Sequence, residues 1–250
     1  ISLEPCFKKS SCCAKAIVKA GIKKVFISSL DPNPNIKGKG IDFLKKQKIK
    51  VFHSLKSTDR FKIINKFFYI RKTLNRPFIT LKIAISKNGF SKSPTHKNIT
   101  SDQTQYFMHQ LRLSHDAIAV GMNTVLDDKP KLTCRLQGVS KNIAKLIFSN
   151  KEIKIKNYKL IIADYKKTVT DNFSLFKKLK TQSILIEGGL NTFKYFLNCN
   201  LFDEVIVCQS NMTIKNASKK YFLSMKSITN NLILKSSLKY GEDMIYKFTN

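Results

Sequence analysis

The stretch RPFITLKIAIS, residues 76–86, decides the fold of the larger part of this 250-residue chain. Its apolar run is nearly continuous, which is typical of a central strand in a sheet that is covered on both faces. Similar apolar segments follow it, separated by helical stretches or turns, and this alternation indicates an α/β domain with a mostly parallel sheet. The further predicted strands are DAIAVG (116–121), AKLIFS (144–149), KLIIAD (159–164), SILIEGG (183–189) and DEVIVCQ (203–209).

Helices are predicted between several of these strands. Thr100 and Gln103 fit a capping box, so we expect a helix from there to about Leu113. Two more helices are expected, from Phe173 to Lys180 and from Leu190 to Leu197. The tail NLILKSSLKYGEDMIYKF predicts two strands about a turn at Gly241.

The residues before this domain predict a second, smaller unit in which helices and strands alternate, a pattern that favours parallel pairing. We expect a partial α/β domain at 1–55, a charged helical connector at 56–75 and a complete α/β domain at 76–250. In the partial domain the predicted helices are 14–20 and 41–48, and the predicted strands are 25–28 and 49–52.

The charge of the chain is strongly positive, with 46 basic against 16 acidic residues and a formal net charge of +30. Such a balance is found in proteins that bind nucleic acids or anionic membranes. Only five of the basic residues are arginine, and the lysines are spread along the whole chain. A compositional bias therefore explains the charge better than a binding surface, and a basic nucleic-acid-binding protein is the alternative.

The apolar segments and the cysteines indicate in which compartment of the cell the protein is expected. No apolar run reaches the roughly 20 residues that a membrane-spanning helix needs, and the first residues lack the features of a signal peptide. The six cysteines do not form a disulfide framework, so we expect a cytoplasmic protein. Because the chain starts at Ile1, within a motif, we expect it to be a truncated fragment.

Polar residues stand where an α/β sheet binds ligands, at the carboxyl ends of its strands. Thr124 and Asp128 lie on the loop predicted after strand 116–121. Arg112 and Arg135 are two of the rare arginines, and a phosphate fits their planar, five-donor group. A surface turn around Asp128 and a helix-end cation at Arg112 are the alternatives.

Glu187 ends an otherwise apolar strand, where a carboxylate is costly unless it binds something. Gly188 and Gly189 follow it and precede a predicted helix, so main-chain N–H groups can approach a phosphate there. The motif is moderately specific because it combines a buried strand, two glycines and a helix start.

Cys6 of the LEPC motif and Cys13 at a helix start are candidate zinc ligands. A zinc deaminase also needs a third ligand and a glutamate that moves protons. This chain lacks an H-x-E motif before Cys6, so we expect an incomplete zinc site with less than one zinc per chain. We therefore favour buried or free thiols in a deaminase remnant without activity, and a working zinc centre is the alternative.

Five segments, in order, resemble the bifunctional deaminase–reductase family of riboflavin biosynthesis, RibD. The first, LEPC with the following residues to about 51, is similar to the C-terminal half of its cytidine-deaminase-like domain. RPFITLKIAIS, NIT with LR, DAIAVGMNTVLDDKPKLTCR and ILIEGGLNTFKYFLNCNLFDEVIV are similar to its reductase domain. The resemblance implies a dihydrofolate-reductase-like fold and NADPH-dependent reduction of 5-amino-6-(5-phosphoribosylamino)uracil to the ribitylamino product. In that reaction a hydride passes to C1′ of the ribose.

The resemblance also implies roles for individual residues. Asp128 is expected to orient the reactants. The family's substrate contacts fall on His96, Arg112, Leu132, Arg135 and Glu187. Its cofactor contacts fall on Ala84, Asn98, Thr124, Asp128, Ser149, Gly189, Leu190, Asn191 and Thr192, and its zinc ligands on Cys6 and Cys13.

This sequence departs from the family pattern at several of these places. Where the family motif reads T-V-L-A-D-D-P, this chain has Asp127 in place of the alanine and Lys129 in place of the second aspartate. Asn98 stands where the family has tryptophan, which removes a stacking surface for the cofactor. A remnant that keeps the fold without turnover is therefore a further alternative. The partners implied are a small phosphoribosylaminopyrimidine and a second copy bound through the reductase domain, with no membrane.

Overall fold

The computed structural model describes residues 1–7, 12–53, 55–149, 155–156, 158–162 and 176–250. These residues form two compact units, Ile1–Arg76 and Pro77–Asn250. None of the helices within the described ranges is long and apolar enough to cross a membrane.

The first unit packs helices against a parallel pair of strands. Its core consists of apolar side chains from both kinds of element, such as Ala14, Val25 and Leu44. The elements are α1 (Cys13–Lys19), β1 (Lys24–Ile27), α2 (Lys39–Lys46), β2 (Lys50–His53), α3 (Leu55–Ile64) and α4 (Lys66–Leu74). The strands pair in parallel, with Val25 opposite Val51.

A buried carboxylate organises the connection between β1 and α2. Oε2 of Glu4 accepts the main-chain N–H groups of Asp31 and Gly38, at 3.1 and 2.9 Å, and Oε1 accepts that of Gly40 at 2.8 Å. Gly38 has φ +83°, which favours glycine, and it is the N-cap of α2. The helix therefore begins two residues before the predicted start at Ile41.

The second unit is built on one mixed sheet. Its strands are β3 (Phe78–Ile85), β4 (Ala117–Gly121), β5 (Ala144–Ser149), β6 (Lys159–Ile162), β7 (Ser183–Ile186), β8 (Glu204–Gln209), β9 (Ile233–Tyr240) and β10 (Asp243–Thr249). Its helices are α5 (Asp102–Ser114), α6 (Met122–Asp128), α7 (Leu190–Asn198) and α8 (Met225–Thr229), with a 3-10 turn at Lys219–Tyr221.

The strand order across this sheet is β6-β5-β4-β7-β3-β8-β10-β9. All neighbours from β6 to β8 are parallel, and the hairpin of β9 and β10 adds antiparallel pairs at one edge. The central strands β4 and β7 are buried along their whole length. The mostly parallel α/β sheet predicted from the apolar runs is therefore confirmed.

Some predicted boundaries are wrong, for identifiable reasons. The N-cap of α5 is Ser101 instead of Thr100, and its hydroxyl accepts the N–H of Thr104. Asp243 fixes this choice, because its Oδ2 accepts both the N–H and the hydroxyl of Ser101, at 2.7 and 2.9 Å. The predicted capping box of Thr100 and Gln103 does not form.

The segment predicted as a loop after β4 is the short helix α6. Strand β7 ends at Ile186, so Glu187 to Gly189 form the connection to α7. Residues 163 and 164 of the predicted strand KLIIAD and residues 173–175 of the predicted helix lie outside the described residues.

Candidate active site

A cavity of about 1420 Å³ opens at the carboxyl ends of the central parallel strands. Its lining includes Ala84 near the end of β3, Gly121 at the end of β4, Ser149 at the end of β5 and Glu187 just after β7. This is the position at which open α/β sheets bind ligands. The site is thus built by the order of the strands.

The cavity gathers most of the residues that were predicted to form the site, from segments far apart in the sequence. His96 is the exception in the second unit, because it is exposed and does not belong to the lining. Its Nδ1 lies 2.9 Å from the hydroxyl of Thr95. The predicted residues in the lining are Ala84, Asn98, Arg112, Thr124, Asp128, Leu132, Arg135, Ser149, Glu187, Gly189, Leu190, Asn191 and Thr192.

The N-terminus of α7 forms one wall of the cavity. Gly189 is its N-cap and donates its N–H to Oγ1 of Thr124 at 3.0 Å, which ties α7 to α6. A Cβ atom at Gly121 or Gly188 would overlap the side chain of Thr192. The glycines are therefore needed for close packing here, and the helix start still carries its partial positive charge toward the cavity.

Arg112 and Glu187, predicted as two separate substrate contacts, form one ion pair. Nε of Arg112 donates to Oε1 at 2.7 Å, and Nη2 donates to Oε2 at 2.6 Å. The remaining nitrogen, Nη1, donates to the carbonyl of Thr133 at 3.2 Å. The arginine fork is thus directed at protein groups, and Glu187 is held in a fixed orientation.

Burial and pairing act in opposite directions on this pair. Burial alone raises the pKa of the Glu187 carboxyl, but the hydrogen bonds and charge of Arg112 outweigh it, so this pKa lies below its ordinary value. Burial likewise lowers the pKa of Arg112, and the bonds and charge of Glu187 raise it above its ordinary value. Both groups are therefore ionised.

The loop that carries Leu132 and Arg135 is fastened to α5. His109, buried on that helix, contacts Arg135 through both ring nitrogens: the main-chain N–H approaches Nδ1 at 3.3 Å and Nε approaches Nε2 at 3.4 Å. The thiol of Cys134 donates to the carbonyl of His109 at 3.4 Å. Leu132 is buried with φ +46°, a left-handed conformation that only fixed surroundings maintain.

Asp128 is the last residue of α6 and shares a helix face with Thr124, four residues earlier. Its Oδ1 lies 3.4 Å from Nζ of Lys92, and its side chain is half exposed. The predicted loop is wrong here, because the segment is helical, and Asp127 differs from Asp128 only by its place in the family motif. Both aspartates line the cavity.

Several lining residues were not predicted. Lys82 interrupts the apolar strand β3, and its positive charge helps to lower the pKa of Glu187. A charged residue within a central strand was the signal that could have found it. His109, which lies outside the lining and contacts Arg135, gave no such signal. Lys92 and Lys220 flank the ring of Tyr221, with their Nζ atoms 5.7 and 5.0 Å from its centre.

Of the three cysteines of the first unit, Cys6 and Cys13 interact with each other. A hydrogen bond with Cys6, together with its negative charge, raises the pKa of the Cys13 thiol. Among the described residues, no group of three His, Cys, Asp or Glu side chains lies close enough together to hold a metal. Two thiols do not complete the ligand set of a catalytic zinc, so no chemical step is assigned to one.

Comparison with known proteins identifies the family. The RibD C-terminal domain matches residues 77–246. The chain belongs to the RibD family. It is 31% identical to the riboflavin biosynthesis protein RibD of Buchnera aphidicola, over 89% of this chain and 72% of that protein. It is 28% identical to RibD of Aquifex aeolicus, over 99% of this chain and 79% of that protein.

Solved RibD structures have the same fold. The deaminase/reductase of Thermotoga maritima superposes with a TM-score of 0.83 at 25% identity, covering 99% of this chain and 78% of that one. RibD of Acinetobacter baumannii gives a TM-score of 0.82 at 21% identity, covering 99% and 79%. The chain is an enzyme with the dihydrofolate-reductase-like reductase domain of riboflavin biosynthesis, as its motifs predicted.

Proposed function

We propose that this chain catalyses NADPH-dependent reduction of 5-amino-6-(5-phosphoribosylamino)uracil to the 5-phosphoribitylamino product. The name of the Thermotoga maritima relative includes this reductase. The observation that carries the proposal is the strand-end cavity itself, whose lining has nine lysine and arginine residues against three acidic ones. Both NADPH and the substrate carry phosphate, and such a cavity favours anionic ligands.

The cofactor side of the cavity is assigned to the start of α7 and its neighbours. Asn191 and Thr192 lie in the first turn of that helix, where main-chain N–H groups and the helix dipole attract phosphate. Thr124, Ser149, Ala84 and Asn98 border the same cavity. When bound, NADPH supplies the hydride, and the protein supplies position and electrostatics.

The substrate side is assigned to Leu132, Arg135 and the pair of Arg112 and Glu187. A carboxylate has about four acceptor sites, and Arg112 uses two oxygens of Glu187 from one side. The remaining acceptor positions can bind hydroxyl or amino groups of the substrate. Arg135 carries the phosphate in this assignment, since the fork of Arg112 is directed at Glu187 and Thr133.

Asp128 is proposed to orient the reactants beside the nicotinamide. We expect Asp128→Asn, which keeps the shape and removes the charge, to lower kcat at least about tenfold, equivalent to about 1.4 kcal/mol of barrier. Asp127→Asn is the matched control, and its kcat should stay within about a factor of two. Both are measured under saturating NADPH. The opposite ranking would show that the charge of Asp127 is the one that matters.

The activity itself is tested by following NADPH absorbance with purified chain and the substrate. The proposal requires NADPH loss that depends on the substrate, together with the ribitylamino product. A non-catalytic remnant would bind without turnover. A nucleic-acid binder would bind nucleic acid with an affinity that falls steeply with salt and would not oxidise NADPH.

A homodimer formed through the reductase domain is also proposed. Strand β9 is exposed along its length except at Tyr240, and in the described sheet it pairs with β10 on one side only. Ile233, Leu234 and Leu238 on it are each more than half exposed. An unpaired edge that exposes three apolar side chains can pair with a second chain.

We expect the double substitution Leu234→Lys and Leu238→Lys to halve the mass measured by light scattering, because charge on an edge strand opposes pairing. Ile64→Lys, at an exposed apolar residue of α3 in the first unit, is the control and should leave the mass unchanged. A wild-type chain of monomer mass would contradict the proposed dimer.

The cytoplasmic location stays a prediction.

A further inference from the structure

We infer that His109 is a positioning residue for the substrate: its ring holds Arg135 and the loop from Leu132 to Arg135 in the binding arrangement. The inference rests on the proposed contact between Arg135 and the substrate phosphate. It gives a role to a residue of α5 that borders the site from behind, without touching substrate or cofactor.

The contacts between α5 and this loop are numerous for so short a segment. Nη1 of Arg112 donates to the carbonyl of Thr133 at 3.2 Å, and the thiol of Cys134 donates to the carbonyl of His109 at 3.4 Å. The backbone and the side chain of Arg135 both approach the His109 ring, at 3.3 and 3.4 Å. The contact of Nε2 of His109 is made with the guanidinium group itself.

The protonation state of the ring decides whether it can do this. A neutral imidazole has one N–H and one acceptor nitrogen. The two approaches of Arg135 cannot both be hydrogen bonds to one neutral ring. With the proton on Nδ1, the Nε2 atom accepts from Nε of Arg135 at 3.4 Å, and the Nδ1–H group is left for the carbonyl of Thr133, which helps to raise the pKa of the ring. An imidazolium has no acceptor. It would direct N–H groups at those of Arg135 and add a positive charge beside Arg112.

The surroundings keep the ring neutral. Burial lowers the pKa of His109 most, and the charges of Arg112 and Arg135 lower it further. Glu187 and the carbonyl of Thr133 oppose this, but the pKa still lies below the ordinary histidine value. Near neutral pH the ring is therefore uncharged and able to accept from Arg135.

The loop needs such a fastening because of its conformation. Leu132 is a non-glycine residue with φ +46°, and it packs into the apolar cluster of Ile118, Val120 and Ile147. A strained residue persists only where its surroundings over-determine it. The Leu132 side chain fixes one end of the loop, and the His109 contacts fix the other end at Arg135.

The test compares His109→Leu, which removes the acceptor, with His109→Gln, which can accept from Arg135 and donate to Thr133. At about pH 8, where histidine is neutral, His109→Leu is expected to raise the substrate KM about tenfold, the loss of one hydrogen bond to a charged group. Its kcat should stay within about a factor of two. His109→Gln should return the KM to within about threefold of wild type, since it restores both partners.

The pH profile separates positioning from general structure. The KM of the wild type should rise as the pH falls through a value below the ordinary histidine range. The substrate phosphate also ionises near pH 6, so His109→Gln, which cannot titrate, isolates that contribution. The part of the acidic rise that disappears in His109→Gln belongs to the ring. An unchanged acidic rise in His109→Gln overturns the inference, even if His109→Leu fails to fold.

Two further variants keep the outcomes distinct. His115→Leu removes another buried histidine at the end of α5, which bonds to Thr80 and the carbonyl of Leu111; it should lower the melting temperature and leave KM unchanged. Arg135→Ala should raise KM by itself, and adding His109→Leu should raise it no further. If Arg135→Ala leaves KM unchanged, the proposed substrate contact is wrong. If only Arg135→Ala raises KM, the role of His109 is wrong.

Discussion

Replacing Glu187 with alanine is expected to lower the free energy of unfolding of the Pro77–Asn250 unit by about 3 kcal/mol, because it leaves the buried guanidinium of Arg112 without its partner. The value is placed at the low end for buried pairs since Arg112 keeps its bond to Thr133. The chain has no tryptophan, so urea unfolding is followed by circular dichroism. We also expect a large loss of kcat/KM, because the substrate loses an oriented acceptor.

The matching control is a double-mutant cycle with Arg112→Ala. Removing both partners should cost less than the sum of the single losses, since no buried charge is left unpaired. Additive losses would contradict the pairing. The pH dependence gives a second check: the folded pKa of Glu187 is lowered, so its contribution is complete above the unfolded carboxyl value of about 4.3. It is lost as the pH falls through the folded pKa, and alanine removes that dependence.

Arg135→Lys is expected to raise the substrate KM about 10- to 150-fold with an unchanged fold, the range for losing a charge-assisted hydrogen bond of about 1.5–3 kcal/mol. An ammonium keeps the charge but loses the two-pronged geometry that fits a phosphate. Steady-state kinetics at saturating NADPH gives KM, and circular dichroism reports the fold.

Lys131→Arg serves as the control for Arg135→Lys. It replaces a lysine of the same lining with arginine, so a positively charged side chain is exchanged but Arg135 is kept. Its KM should stay within about threefold of wild type, since both residues carry the same charge. Wild-type kinetics in Arg135→Lys would place the phosphate on the lysines of the cavity instead.

The strands and their order of appearance were predictable, because the apolar runs such as 76–86 and 116–121 are long, continuous and bounded by turns. The location of the site was predictable for the same reason: parallel strands bring their carboxyl ends to one edge of the sheet. The short helix α6 was missed, since Thr124 to Asp128 also fits the composition of a turn.

Pairings between distant residues could not be predicted from local pattern. The N-cap of α5 is Ser101 because Asp243 bonds to it, and Asp243 belongs to the last strand of the sheet. In the same way, Arg112 meets Glu187 because β4 and β7 are neighbours. Each residue was a reasonable candidate alone, but only the strand order shows that the two neutralise one another.

The strand order also bears on how this unit is assembled. Strand β3 pairs with β7 and β8. Phe78 lies opposite Ser183, and Thr80 lies opposite Glu204, in the parallel ladders. Contacts between such distant parts of a chain slow folding, because a long loop must close before they are gained. During synthesis β3 is made before either of its neighbouring strands, so it cannot pair until β7 has been made. Because Glu187 and the start of α7 line the cavity, its walls are complete only after β7 and α7 have been made.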